Sequence, residues 1–122
     1  MSVNVKMQGK SHELVEREDS GWITLWGNSS SFIKYRKVND MVNVIGFGEK
    51  SLSANGGLFE VTIPSGYRPN LNVITMGTCR SLASYVQCEM HPSGILTITN
   101  ISSSSASYFA FEMMYFVGGG NQ

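Results

Sequence analysis

The side chains that could carry out acid–base or nucleophilic chemistry are few and widely spaced in this sequence. Its two histidines are His12, in a charged stretch, and His91, beside a turn, so a serine nucleophile would depend on His91 alone. The carboxylates beyond residue 20 are Asp40, Glu49, Glu60, Glu89 and Glu112. Because no two of them are close in sequence, nothing favours the carboxylate pair of a glycosidase. We predict that the chain is not an enzyme.

The two cysteines, Cys79 and Cys88, are the remaining reactive side chains. No further cysteine completes a CxxC pair, so neither a zinc site nor a redox motif is present. A reduced structural pair and a cross-strand disulfide formed after release from the cell both fit this spacing. We predict no metal ion and no other cofactor.

Aromatic rings offer binding chemistry, because sugar rings stack their apolar C–H faces on Trp or Tyr while a few polar groups fix their orientation. Trp22 and Trp26 flank Thr24 on one face of a predicted strand, and Trp26 is followed directly by a loop. Trp26 is therefore the preferred saccharide platform, although at least one of the two rings can belong to the core.

A second aromatic and polar group flanks the predicted hairpin around residues 81 to 84. It consists of Arg80, Tyr85, Glu89 and His91, which together offer donors, acceptors and a stacking ring. We predict these four, with Trp26, as candidate saccharide-binding residues. The alternative is that each is an ordinary surface residue.

β-Strands must position all of these side chains. Beyond residue 20, runs of β-branched and aromatic residues are interrupted by Gly, Asn, Ser or Pro about every eight to twelve residues. Strands are predicted over residues 21–26, 31–38, 41–50, 58–63, 72–81, 84–91, 94–100 and 107–117. This pattern predicts one all-β domain over residues 21–122, an antiparallel β-sandwich of the jelly-roll kind.

Residues 1–20 differ from the rest in being rich in charge and poor in apolar positions. This composition predicts a leader or connector. We expect it to be extended or partly helical, because isolated helices this short are marginal in water. We expect this segment to pair with a partner chain.

The last predicted strand is apolar on both faces. Phe109, Phe111 and Met113 lie on one face of this strand. Tyr108, Met114 and Phe116 lie on the other face. A sandwich of this size covers one face only, so a second copy of the chain is the expected cover. We therefore predict a homo-oligomer with Tyr108, Met114 and Phe116 at its interface; the lead-in or a crossing loop is the alternative cover.

Charge and hydropathy exclude two classes of partner. The formal net charge is zero and the basic residues are scattered, so no basic stripe is available to follow a phosphate backbone. No apolar run approaches the roughly 18 residues that span a bilayer, and the start lacks the apolar core of a secretory signal. We predict no nucleic-acid binding, no membrane insertion and synthesis in the cytoplasm.

The order of elements is similar to that of a known family. It contains GWITL at 21–25, YRKVNDMVNVIG at 35–46, VTIPSGYRPN at 61–70 and PSGILTIT at 92–99, followed by a closing aromatic strand. Over residues 20–117 this resembles the C-terminal receptor-binding head of bacteriophage tail-fibre and baseplate proteins.

The resemblance implies a β-sandwich homotrimer that carries a virion onto host cell-surface polysaccharide. It also implies synthesis in the bacterial cytoplasm, a location in the phage tail, and contacts between the N-terminal segment and other tail proteins. No ligand contact transfers by motif. The alternative from another class is a structural tail or decoration protein that binds only other protein subunits.

Overall fold

The computed structural model describes residues 2–7, 10–15, 17–79 and 84–117. The strands are β1 (Ser2–Met7), β2 (Lys10–Val15), β3 (Ile23–Gly27), β4 (Phe32–Val38), β5 (Met41–Leu52), β6 (Gly57–Thr62), β7 (Val73–Thr78), β8 (Tyr85–Met90), β9 (Ile95–Asn100) and β10 (Ala106–Phe116). Strands β3 to β10 overlap the eight predicted strands one for one. The all-β prediction is confirmed.

Strands β3 to β10 form one antiparallel sheet in the order β3-β4-β5-β10-β7-β8-β9-β6. The two edge strands, β3 and β6, also approach each other, so the sheet curls into a nearly closed barrel. The strands are therefore joined in one curved sheet, whereas the prediction divided them between two. The junction is narrow, because β10 pairs with β7 only at Ala110 opposite Thr78.

A glycine allows this junction to form. A Cβ atom placed on Gly77 of β7 would lie 2.3 Å from the carbonyl oxygen of Ala110 on β10. Only a residue without a side chain fits so close to a neighbouring backbone. The sheet is thus continuous because Gly77 lets β7 and β10 meet.

Local turn chemistry fixes two hairpins. Asn39, with a φ of 54°, lies in the two-residue turn between β4 and β5. Gly94, with a φ of 92°, closes the turn between β8 and β9, where the amide of His91 donates to the carbonyl of Ile95 at 2.9 Å. Residues 64–69 carry the chain from β6 to β7, which are not neighbours in the sheet. The chain therefore crosses from one edge of the sheet to an interior strand after β6.

The core lies inside the curved sheet. On β10 the residues Phe109, Phe111, Met113 and Tyr115 are buried, while the residues between them are half-buried or exposed. The largest fully buried apolar side chains are Phe109, Ile33, Ile63, Met90, Leu96 and Ile98. Each contributes roughly 1.5–3 kcal/mol of burial free energy, so this shared interior is the main source of stability.

One polar residue is fully buried in the described part of the core. Asn100, at the end of β9, donates from Nδ2 to the carbonyls of Leu52 at 3.1 Å and Ser104 at 2.9 Å. Its Oδ1 accepts from the amide of Ser102 at 3.0 Å and from the hydroxyl of the same residue. The side chain ties the end of β5 to the loop before β10.

The described part of the predicted leader or connector contains two extended strands. Strands β1 and β2 pair as an antiparallel hairpin, from Ser2 opposite Val15 to Met7 opposite Lys10, in a sheet separate from the larger one. The helical alternative is not found over residues 10–15. Farther along, Asp19 bridges Val38 of β4, and the amide of Ser20 donates to the carbonyl of Lys37 at 2.9 Å. The domain boundary at residue 20 stays a prediction.

Both cysteines are buried and unbonded. Burial, with a smaller effect from the Cys79 thiol, raises the pKa of the Cys88 thiol to about 12. The reduced alternative is the one that this fold contains.

Candidate functional site

A β-bulge decides which tryptophan reaches the surface. In the β3–β4 pairing, Thr24 lies opposite Lys34 whereas Trp26 lies opposite Ile33, so Leu25 is an extra residue. An extra residue inverts the inside–outside alternation of a strand. Trp22 and Trp26 therefore do not share a face, and the prediction that they do is wrong.

Trp26 points inward. Its ring lies 5.0 Å from the ring of Phe59 and 5.9 Å from that of Phe109, measured between centroids. Phe109 is fully buried, so Trp26 joins the edge of the core. The preference for Trp26 over Trp22 as a surface platform is wrong, since Trp22 is 45% exposed.

Trp22 belongs to a polar cluster that begins before β3. The guanidinium carbon of Arg36, on β4, lies 5.7 Å from the centroid of the Trp22 ring. Arg36 also donates to both carboxylate oxygens of Asp19, from Nε at 2.9 Å and from Nη2 at 2.5 Å. This fork is the geometry that suits Arg and carboxylate best, so the side chain of Arg36 is held in place against the indole.

Asp19 is held as a carboxylate. The hydrogen bond from Arg36 is the largest cause that lowers its pKa, to about 2, and the backbone amide of Gly21, which donates at 2.9 Å, is the next. Arg17 adds a longer ion pair at 3.7 Å. Asp19 therefore carries its negative charge at any ordinary pH.

A cavity of about 320 Å³ adjoins this cluster at the end of the sheet that carries the β4–β5 turn. Its walls include Glu18, Asp19, Lys37, Asn39, Asp40 and Tyr67. Lys37 Nζ donates to the carbonyl of Gly66 at 3.0 Å and lies 5.6 Å from the centroid of the Tyr67 ring. The cavity thus combines carboxylates, an ammonium group and an aromatic ring.

Tyr67 is fixed from two sides. Its ring meets that of Tyr35 edge to face at 4.8 Å, and its carbonyl accepts from the hydroxyl of Tyr115 at 2.5 Å. Tyr115 lies on β10 and Tyr35 on β4, so two core strands support this wall. A supported ring loses little conformational freedom when a ligand binds.

The predicted group on β8 is only partly assembled. Glu89 and His91 lie together, with 3.8 Å between Oε1 and Nε2, and Asn72 Nδ2 donates to Glu89 at 3.0 Å. Tyr85 is 52% exposed but begins β8, whereas Glu89 lies opposite Ile74 near the other end. Arg80 lies outside the described residues. The hairpin thus brings Glu89 and His91 together and leaves Tyr85 apart.

The predicted interface residues lie on the outside of the sheet. Met114 is 52% and Phe116 is 66% exposed, while Tyr108 is half-buried, with its ring 6.4 Å from that of Phe47. Neighbouring strands extend the apolar surface. We define the outer apolar face by Phe47, Ile74, Met76, Tyr108, Met114 and Phe116, on β5, β10 and β7.

Sequence reasoning missed Asp19, Arg36, Lys37 and Tyr67 as members of one site. Asp19 and Arg36 are 17 residues apart, and their contact follows from the bridge between Asp19 and Val38. The signal that could have found them is the alternation of β4, which places Arg36 on the outer face when Tyr35 is in the core.

No protein-family model and no curated protein matches this chain. Within the described ranges there is no helix long and apolar enough to cross a membrane. Nor do three or more His, Cys, Asp or Glu side chains of those ranges come together as metal ligands would.

Proposed function

We propose that this chain is the receptor-binding head of a phage or phage-derived tail, which attaches as a homotrimer to saccharides on the host cell surface. The observation that carries the proposal is the outer apolar face. Ile74, Met114 and Phe116 are each more than half exposed there, on two adjacent central strands. The exposed Glu112 lies on the same face of β10. Exposed apolar side chains grouped on neighbouring strands mark an interaction site, and a symmetric assembly of identical chains would bury them.

The strand topology also supports the proposed relationship to phage receptor-binding heads. The single bridge between β10 and β7 divides the curved sheet into two groups of four strands, β3-β4-β5-β10 and β7-β8-β9-β6. Two four-stranded layers are the arrangement of a jelly roll. We therefore keep the jelly-roll-like sandwich as the proposed relationship of this fold.

The saccharide part of the proposal is supported by the exposed indole of Trp22 and the polar cavity beside Asp19. Three weak sites on one trimer would act together through their effective concentration. The β1–β2 hairpin forms its own sheet and is the segment proposed to contact other tail proteins in the virion.

The test is the solution mass of the purified protein, followed by binding to an array of bacterial surface polysaccharides. Light scattering should give about three times the 13.4 kDa of one chain. A stable monomer would contradict the assembly. An intact trimer that binds no surface polysaccharide would contradict the receptor-binding role.

A structural tail or decoration protein is the second candidate, and a specific observation favours it. Trp26 is packed against Phe59 and Phe109, and Tyr85 lies on a different strand, so the two predicted platforms do not form one exposed cluster. A trimer that binds purified tail subunits and no polysaccharide would favour this candidate.

A further inference from the structure

We infer that the saccharide recognised by this chain is anionic, carrying a uronate carboxylate or a phosphate, and that it binds across the Trp22 ring and the Arg17 guanidinium. The inference rests on the proposed receptor-binding function and names its ligand class and its site. It also moves the site from β8, where sequence reasoning placed it, to the segment before β3 and the outer surface of β4.

Two arginines share one carboxylate at this site. Arg36 Nη2 donates to Asp19 Oδ2 at 2.5 Å, and Arg17 Nη2 lies 3.7 Å from the same oxygen. Two guanidinium groups therefore face a single negative charge, which leaves one positive charge unbalanced. The side chain of Arg17 is 64% exposed and its ion pair is longer than a hydrogen bond, so this guanidinium stays accessible to a ligand.

Lys34 extends the positive charge along β4. Lys34 and Arg36 are two residues apart on one strand, so they share its outer face. Lys34 forms no ion pair with a carboxylate in the described ranges, and Glu112 on β10 is separated from it by Ile45 of β5. The surface beside Trp22 thus carries an excess of cations, although the formal net charge of the whole chain is zero.

Trp22 adds the stacking surface. Its side chain is 45% exposed although the Arg36 guanidinium lies 5.7 Å from the ring centroid. Arg36 is in turn held by both carboxylate oxygens of Asp19, so the ring is supported before any ligand arrives. Trp22, Arg36, Asp19 and Arg17 therefore form one continuous chain of contacts, with the exposed indole at one end and the exposed guanidinium at the other.

This arrangement suits an acidic sugar. The exposed indole can take the apolar C–H face of a sugar ring, and the guanidinium can take a carboxylate or phosphate through two parallel hydrogen bonds. A neutral sugar would use only the first contact, and an amino sugar would be repelled by the excess positive charge. Exposed ion pairs are individually weak, so each site binds weakly and the proposed trimer supplies avidity.

The experiment uses three small probes that share one ring: glucuronate, glucose 1-phosphate and neutral glucose. Each is titrated into the ¹⁵N-labelled full-length protein, and two-dimensional NMR follows the indole N–H signals of its two tryptophans. A Trp22→Phe variant assigns the signals. Trp26 is the internal control, because its ring packs against Phe59 and Phe109.

The matched variants are Arg17→Gln and Lys50→Gln, which each remove one positive charge. Lys50 lies near the other end of β5 from Asn43, the residue that pairs with Arg36. We expect glucuronate or glucose 1-phosphate to shift the Trp22 signal and leave that of Trp26 in place. Arg17→Gln should weaken this binding about threefold or more, and Lys50→Gln should change it less than about 1.5-fold.

The two anionic probes separate a uronate from a phosphate as the recognised group. Glucose that shifts the Trp22 signal as strongly as they do would overturn the ligand class, and equal effects of the two variants would show general charge attraction in place of a site. An array of acidic and neutral bacterial polysaccharides tests the receptor-binding function in parallel. Array binding without any shift at Trp22 would overturn the site alone, whereas no binding to the array or to the probes would remove the proposed function as well.

Discussion

Asp19 connects the chain before β3 to the outer surface of β4. Its carboxylate holds Arg36 against Trp22, and its backbone bridges Val38. One residue therefore sets both the path of the chain and the orientation of the Trp22 ring.

The Asp19 pKa predicts an acid-sensitive contribution to stability. The folded-state pKa of about 2 lies below the ordinary value of 3.8, so ionised Asp19 stabilises the fold above pH 4. This stabilisation is lost as the pH falls from about 4 towards 2. The difference in thermal unfolding midpoint between wild type and Asp19→Asn should be constant near neutral pH and shrink in that window.

Arg36→Leu is the companion variant. The hydrogen bond from the Arg36 guanidinium is the largest cause of the lowered Asp19 pKa, so this change should also remove the loss of stability at acid pH. Combining it with Asp19→Asn should cause little further loss of stability. Additive effects of the two changes would show that the pair does not act as a unit.

Asn100 predicts a large local cost of mutation. Asn100→Ala would leave the buried carbonyl of Leu52 and the amide of Ser102 without these partners, which lowers the free energy of unfolding by about 3 kcal/mol. Urea unfolding measures the change. Asn72→Ala is the matched control, since Asn72 bonds Glu89 at the surface, and it should cost less than about 0.5 kcal/mol. Equal effects would contradict the role of the network.

At the scale of elements, local sequence was enough to locate β3 to β10 but not to order them. Alternation and turn residues mark each strand, and a short turn such as Asn39–Asp40 forces its neighbours to pair. The placement of β10 between β5 and β7, and of β6 beside β9, joins segments far apart in sequence. Those pairings depend on how the whole set of strands encloses the core.

The candidate site was less predictable than the fold, because its contacts also depend on how strands pair. Trp26 was misplaced because a bulge cannot be read from alternation alone, and Leu25 looks like any other strand residue. Glu89 and His91 lie close together because only one residue separates them. Contacts across strands, such as Asp19 with Arg36, required the register.

The β10–β7 junction predicts a sensitive position at Gly77. Gly77→Ala would press a methyl group onto the backbone of Ala110, so we expect a loss of about 2 kcal/mol in unfolding free energy. Thr62→Ala, at an exposed position of edge strand β6, should change it by less than about 0.5 kcal/mol. Urea unfolding compares the two, and a neutral Gly77→Ala would show that the junction can widen without cost.

At the scale of the whole molecule, the outer apolar face predicts which substitution would dissociate the proposed trimer. Phe116→Lys places a charge on a residue that is 66% exposed in the single chain. If that residue is buried between copies, the unpaired charge opposes association. Light scattering should then give the mass of one chain, with the β-sheet circular dichroism unchanged.

Leu71→Lys is the control for this test. Leu71 is 76% exposed and lies before β7, outside the outer apolar face. It should leave the mass at three chains. Dissociation by both variants, or by neither, would argue against this face as the interface.

The bulge at Leu25 also has a consequence for how such a protein can evolve. Deleting that single codon would restore simple alternation in β3 and, with Trp26 still anchored in the core, turn Trp22 inward. A lineage could therefore discard this ring from its surface in one mutational event, without changing the identity of any residue that lines the cavity. The exposed aromatic surface would then be open to selection through strand length as well as through substitution.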